Sequence, residues 1–456
     1  MSVLASEIES VARARPIRVT GHVVALRGLT LLVDDLPLPT GAMVRVGGAT
    51  LGEVVGFERD KAIVMPLGKT SGIRSGEAVV GEHAAPVAPV GPRLLGRVVD
   101  ALGRPIDGRG PIHEAFSRPI DPTPLSPMDR ERIETPVLTG VRAIDLMTPV
   151  GRGQRMGVFA GPGVGKSTLL AQIARHTSAD VNVIALVGER GREVRDFLEV
   201  ALGAEGLARS VVVVATGDES PVLRVRAARY ASTVAEYFRE LGQHVMLIMD
   251  SVTRFAHAQR QIGLSIGEPP ASKGYTPSVF AELALLLERA GAVRQEAGGG
   301  SVTGMYAVLV EGDDMTEPVA DAARGILDGH VILSREMARK GHYPAIDPLD
   351  SVSRVAEDVS EGQHMAARRQ IVSLLAAHKH IEELLQIGAY VSGSDPVADT
   401  SIELHDAINA LLRQGVDEKP DFTQARALMV RLATQGGEMI QARRQQRPTP
   451  APQARG

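Results

Sequence analysis

Lys166 and Ser167 close the run Ala160-Gly161-Pro162-Gly163-Val164-Gly165-Lys166-Ser167, and that order of residue types has a definite chemical use. Glycines let successive backbone N–H groups turn inward around an anion. A lysine at the end of such a run reaches the β and γ phosphates of a nucleotide, and the hydroxyl that follows ligates Mg²⁺. The run sits between a short apolar strand pattern and the helical pattern "KSTLLAQIA". Residues 160–168, Thr168 included, are therefore read as a binding segment for ATP with Mg²⁺. Ala160 stands where the usual pattern has glycine, at a position that need not touch phosphate.

A phosphate loop needs a second metal-binding side chain at the end of a nearby strand. "HVMLIMD" supplies one, with five apolar residues ahead of Asp250. Asp also ends strands simply because it starts turns. Hydrolysis further needs a group that orients and activates water. Glu189, in "LVGERGREV", follows an apolar run and would reach the carboxyl edge of a sheet, where ligands gather. The same charged cluster fits a solvated turn, and spacing alone leaves both readings open.

The elements that must position these residues are legible in the pattern. "VNVIALVG", "SVVVVATG", "HVMLIMD" and "GMYAVLVEG" are near-continuous apolar runs, as expected of parallel strands covered on both faces. They alternate with helical stretches, so residues 91–354 read as an α/β domain around the phosphate loop. Residues 17–90 hold short β-prone runs punctuated by Gly, Pro and Asp, which suggests a small closed barrel or a sandwich. "GEHAAPVAPVGP", residues 81–92, reads as a Pro/Ala linker. Residues 355–445 read as helical, with Ile371, Leu374, Leu375, Ile381, Leu384 and Leu385 on one stripe. At the ends, residues 1–16 carry Leu4, Ile8 and Val11 at helical spacing, which fits a frayed terminus or a partner-docking helix. Residues 446–456 are Pro-rich and polar and are expected to be disordered.

Bulk properties narrow the function. A chain of 456 residues, 44% apolar, can build two or three domains. Cys is absent, which excludes disulfides and thiolate metal sites and suits a reducing cytoplasm. The start lacks the apolar core of a signal peptide, and no run approaches the ~20 apolar residues of a membrane span. A soluble protein is expected. The formal net charge of -4 and an aromatic content of 3% argue against a nucleic-acid groove.

Five further stretches follow one another in order: "GVRAIDLMTPVGRGQRMGVFAGPGVGKSTLL", "GERGREV", "DSVTRFAHAQRQIGLSIGEPPASKGYTPSVF", "VLVEGDDMTEPVADAARGILDGHVILSR" and "GHYPAIDPLDSVSR". Together they resemble the F1/V1-type rotary ATPase family over most of residues 17–390. "EGDDMTEPVADAARGILDGHVILSR" and "IGAYVSGSDPVAD" are more similar to its protein-export branch, the type III secretion ATPases, and there to the flagellar members. The resemblance implies a RecA/F1-like centre and a homohexameric ring with ATP sites between neighbours. It makes Glu189 the catalytic base, sets Arg190 near the γ-phosphate, and makes Arg354 an arginine finger serving a neighbour's site. Tyr343 becomes the aromatic wall against adenine. For Arg354 an ordinary surface arginine also fits the spacing.

The resemblance further implies a stator-like regulatory protein on residues 1–16 and a central coiled-coil stalk protein. Export substrates and chaperones would meet the C-terminal helices, and a membrane export gate would hold the ring peripherally at the inner-membrane export apparatus. Because Glu189, Asp250 and Arg354 occur together, an active subunit is expected rather than a nonhydrolysing one. The alternatives are a virulence-type secretion ATPase, an F1 β-type subunit, and a nucleic-acid translocase.

Overall fold

A computed structural model describes residues 18–446 apart from 84, 311 and 313. The expected docking segment 1–16, and all but the first residue of the expected tail 446–456, lie outside the described residues.

Six short strands form the first unit: β1 (Thr20–Arg27), β2 (Thr30–Asp34), β3 (Met43–Val46), β4 (Thr50–Glu58), β5 (Lys61–Pro66) and β6 (Ala78–His83). They close antiparallel in the order β1-β2-β5-β4-β3-β6. Of the barrel and the sandwich, the barrel is what forms. Val23, Leu31, Val33, Val44, Val54, Val64 and Val79 fill its interior, and closure leaves no unpaired edge. The stretch expected to be a linker is instead ordered pairing. Val87–Val90 runs antiparallel to Phe116–Pro119; Ala88 and Val90 alternate into the core, while Pro86 and Pro89 stay half-buried.

The centre is one large sheet. Its strands are β7 (Val98–Asp100), β8 (Arg155–Ala160), β9 (Val181–Val187), β10 (Ser210–Ala215), β11 (His244–Asp250), β12 (Ser301–Leu309), β13 (Gly329–Leu333) and β14 (Ile346–Ser353). Their order is β14-β13-β8-β12-β11-β9-β10-β7. These eight run parallel except β14, which returns antiparallel to β13; a ninth, short strand, Gly291–Ala292, pairs antiparallel with β12. The continuous apolar runs are explained by cover on both faces. In β9, Val181, Val183, Ala185 and Val187 join one core, while Ile184 and Leu186 join the other. The first core lies under α2 (Pro221–Glu240) and α3 (Val252–Ser265); the second lies under α1 (Lys166–His176).

Three helices complete the chain: α4 (Gly362–Gln386), α5 (Pro396–Leu412) and α6 (Phe422–Gln446). Ile371, Leu374 and Leu404 merge with the α1 side of the sheet. The expected stripe is buried at Ile371, Leu374 and Ile381 but lies open at Leu384, where α4 nears its end and passes into a loop carrying exposed Ile387 and Val391.

Candidate functional site

The glycine loop leaves β8 at Ala160, which pairs with Leu309 of β12. Ala160 is buried within the strand, so its methyl group packs in the core and never enters the loop. That accounts for alanine at the first position. Gly163 and Gly165 take left-handed backbone angles, φ 78° and 96°, which side-chain-bearing residues rarely adopt. Gly165 is the N-cap of α1 with no side-chain cap, so the first N–H groups of the helix stay free for an anion. Val164, Leu169 and Leu170 anchor the loop in the core, while Ser167 and Thr168 face outward.

β9 and β11 are neighbours, with Leu186 opposite Asp250. Asp250 and Glu189 therefore emerge side by side at the carboxyl edge of the sheet. Lys166 reaches both: its Nζ is ion-paired with Asp250 Oδ1 and lies 3.8 Å from Glu189 Oε1. The side chains of Lys166, Asp250 and Glu189 are only 11%, 3% and 15% exposed. Burial and then the charge of Asp250 push the Glu189 carboxyl up to about 7, against the pull of Lys166. A carboxylate poised there suits proton transfer at neutral pH.

Arg254 belongs to this cluster and was missed in the sequence. Gly188 makes room for it: a Cβ on Gly188 would lie 2.8 Å from the Cβ of Arg254. The buried Nε of Arg254 has no hydrogen-bond partner among the described residues, and its charge acts on Glu189. It stands in the first turn of α3, just past the strand that ends at Asp250, and no local pattern in the sequence marks it.

Tyr343 lies over the loop, its Cε1 3.9 Å from where a Cβ on Gly165 would sit, and its side chain is half-exposed. The loop joining α5 to α6, also unforeseen, meets the backbone of Tyr343, whose carbonyl accepts the Gln414 N–H at 2.9 Å. It runs along α1, with Gln172 Nε2 donating to Gly415 O at 3.2 Å and Arg175 donating to Asp417 Oδ1 at 2.9 Å. On the other side of Ala160 and Gly161 opens a cavity of about 540 Å³ lined by Arg324, His330, Ser334 and Asp347.

Two expected residues are not brought to the cluster. Arg190 is exposed and pairs with Glu193 at 3.0 Å. Arg354 is exposed, its backbone N–H donating to Asp328 O. Its neighbour Ser353 pairs with Gly329, at the amino end of the parallel strands. The glycine loop leaves at their carboxyl end, so Arg354 sits at the opposite edge from its own chain's loop. Among the described residues no group of three or more His, Asp or Glu is placed to hold a metal ion.

The ATP synthase alpha/beta family, nucleotide-binding domain, matches residues 140–353, and the beta-barrel domain of that family matches residues 17–81. The T3SS EscN ATPase C-terminal domain matches residues 360–431. A flagellum-specific ATP synthase of Pseudomonas aeruginosa is 46% identical over 430 residues, covering 93% of this chain and 95% of the relative. A type 3 secretion system ATPase of Xanthomonas euvesicatoria is 50% identical over 403 residues, covering 87% and 90%. The assembled ATPase EscN of enteropathogenic E. coli superposes with a TM-score of 0.85 at 39% identity, over 91% of this chain and 100% of the other. The same ATPase in complex with its central stalk EscO gives 0.84 at 38% identity, over 91% and 100%.

Proposed function

The chain belongs to the ATP synthase alpha/beta family, and from that membership we propose that it works as an ATP-hydrolysing ring that energises export of flagellar proteins. The observation that carries the chemistry is the meeting of Lys166, Asp250 and Glu189 beside a glycine loop at the sheet's carboxyl edge. Backbone N–H groups of residues 163–168 cradle the phosphates, and Lys166 turns from Asp250 toward the β and γ oxygens. Glu189 orients the attacking water and takes its proton. Ser167 and Asp250 are hard oxygen donors of the kind Mg²⁺ prefers, and two protein ligands suffice because that ion keeps waters and phosphate oxygens around it. When bound, Mg²⁺ supplies charge neutralisation at the phosphates. Arg254 is a second cation for that space; Arg190, paired outward, has the weaker claim.

Tyr343 stacks on adenine, and the α5–α6 loop faces it. Arg354 cannot serve its own chain from the far edge of the sheet, which supports a finger that completes a neighbour's site in a homohexamer. The central stalk seen with the EscN relative supports a coiled-coil stalk partner here as well. We place the regulatory protein on residues 1–16, and substrates and chaperones on the C-terminal helices. No described helix is long and apolar enough to cross a membrane, which suits peripheral attachment to the export gate from the cytoplasm. No nucleic-acid partner is proposed.

A virulence-type secretion ATPase is the second reading, favoured by the 50% identity of the Xanthomonas relative. The larger span of the flagellar relative, 93% of this chain, supports the first. Deleting the gene should abolish motility; intact motility with lost effector secretion would select the second reading. For the chemistry, Glu189→Gln should bind Mg·ATP with near-native affinity and turn over at least ~100-fold more slowly. Turnover within threefold of the native rate would remove Glu189 from the role of base.

A further inference from the structure

Gln414 sits on the α5–α6 loop and is almost fully buried, yet both ends of its side-chain amide and its backbone N–H are paired. Its Oε1 accepts the backbone N–H of Arg142 at 2.8 Å. Its Nε2 donates to Gly140 O and to Glu418 O, both at 2.9 Å. Its own backbone N–H donates to the carbonyl of Tyr343 at 2.9 Å. One residue thus ties three remote segments: residues 140–142 ahead of β8, the tyrosine over the glycine loop, and the loop of the helical domain.

The side chain is a fork fitted to a donor and two acceptors, which only an amide can satisfy at once. Around it the contact is charged as well. Arg142 Nη1 pairs with Glu418 Oε1 at 2.7 Å, and Glu418 Oε2 accepts from the Gly415 N–H at 3.0 Å. Gly140 in turn packs on His176 at the end of α1, where a Cβ would meet the His176 Cβ at 2.3 Å. The clasp is therefore referenced to the same helix that begins at Lys166.

We infer that Gln414 is the positioning residue of the base-binding wall. Its amide fixes the helical-domain loop against residues 140–142, and its backbone N–H then holds Tyr343 at the height of the glycine loop. Gln414 touches no phosphate and no reacting atom. Its effect falls on the base, and through it the helical domain and the nucleotide site are held in one register. The inference rests on Tyr343 being the adenine wall.

The test compares two probes on the full-length chain by calorimetry: Mg·ATP, which carries a base, and Mg·tripolyphosphate, which does not. Gln414→Ala and Gln414→Glu should each weaken ATP about tenfold, since each leaves buried polar groups of the clasp unpaired. Tripolyphosphate affinity should stay within about twofold, because the glycine loop is untouched. Gln414→Asn keeps the amide one methylene short and should fall between. In turnover, the loss should appear in KM and leave kcat near native. Equal weakening of both probes would reduce Gln414 to a general support of the fold, and unchanged ATP affinity in the Ala and Glu variants would overturn the inference outright. Tyr343→Ala is the separate control. If it leaves ATP affinity intact, the adenine-wall premise fails whatever the Gln414 variants do.

Discussion

Lys166→Met takes the ion-paired cation from between two nearly buried carboxylates, and its cost can be worked from the geometry. At 3.8 Å from Glu189 Oε1, a unit charge in surroundings of effective dielectric ~20 contributes about 4 kcal/mol. The direct ion pair with Asp250 adds a contribution of similar size. Relaxation and proton uptake return part of this. The Glu189 carboxyl, already pushed up to about 7, moves further up without the lysine and becomes neutral at pH 7. The net loss should then be about 3–5 kcal/mol, as for other buried pairs deprived of one partner. Adding Asp250→Asn removes the charge left facing Glu189 and should restore about 2 kcal/mol. A chain of several units does not unfold as one, so the fitting assay is native-state hydrogen exchange in α1 and β11, without nucleotide or Mg²⁺. Protection in the Lys166→Met protein equal to the native level would refute the reasoning. So would a double variant that loses the full sum of the two single losses.

A pH effect should arise where barrel meets centre. Glu53 of β4 lies 3.6 Å from Arg226 of α2, and burial outweighs that arginine and raises the carboxyl from 4.5 to about 7. The folded chain therefore holds this proton more tightly than the unfolded one. Stability from Glu53 is full below pH 4.5, is lost as pH rises to about 7, and is flat beyond. Glu53→Gln should flatten that part of the profile in thermal melts at pH 5, 6 and 8; an unchanged slope would assign it elsewhere. The chain has no Trp, so Tyr343→Trp should report Mg·ATP by a saturable change in emission. A silent signal in an active enzyme would move base recognition away from this wall.

Much of the site was legible because its signals are local. The glycine loop, Lys166 and Ser167 are contiguous, and Asp250 ends an apolar run that could only be a buried strand. Glu189 was ambiguous in sequence because charge clusters after strands are common. What decides for it is the strand order, which sets β9 beside β11 and so puts two carboxylates against one lysine. Arg254 and Gln414 were invisible for a related reason. Gln414 lies 272 residues from Arg142 and 71 from Tyr343, and an isolated glutamine in "LLRQGVDEKP" carries no pattern. The barrel was readable as short strands between turns, but closure against sandwich depends on the β6–β1 pairing, a long-range event. Residues 81–92 misled because Pro and Ala suggest a linker, whereas Ala88 and Val90 alternate as an edge strand does.

The claim that the ring's sites are shared between chains is tested most directly by mixing. Lys166→Ala chains lack a working loop, and Arg354→Ala chains lack the finger, so each alone should be inactive. Rings assembled from equal amounts of both contain interfaces that unite an intact loop on one chain with an intact arginine on the next. Those interfaces, about a quarter of the total under random assembly, should restore hydrolysis to a corresponding fraction of native activity. Mixed rings, verified by mass, that remain as inactive as either parent would contradict a finger acting in trans and the shared site built on it.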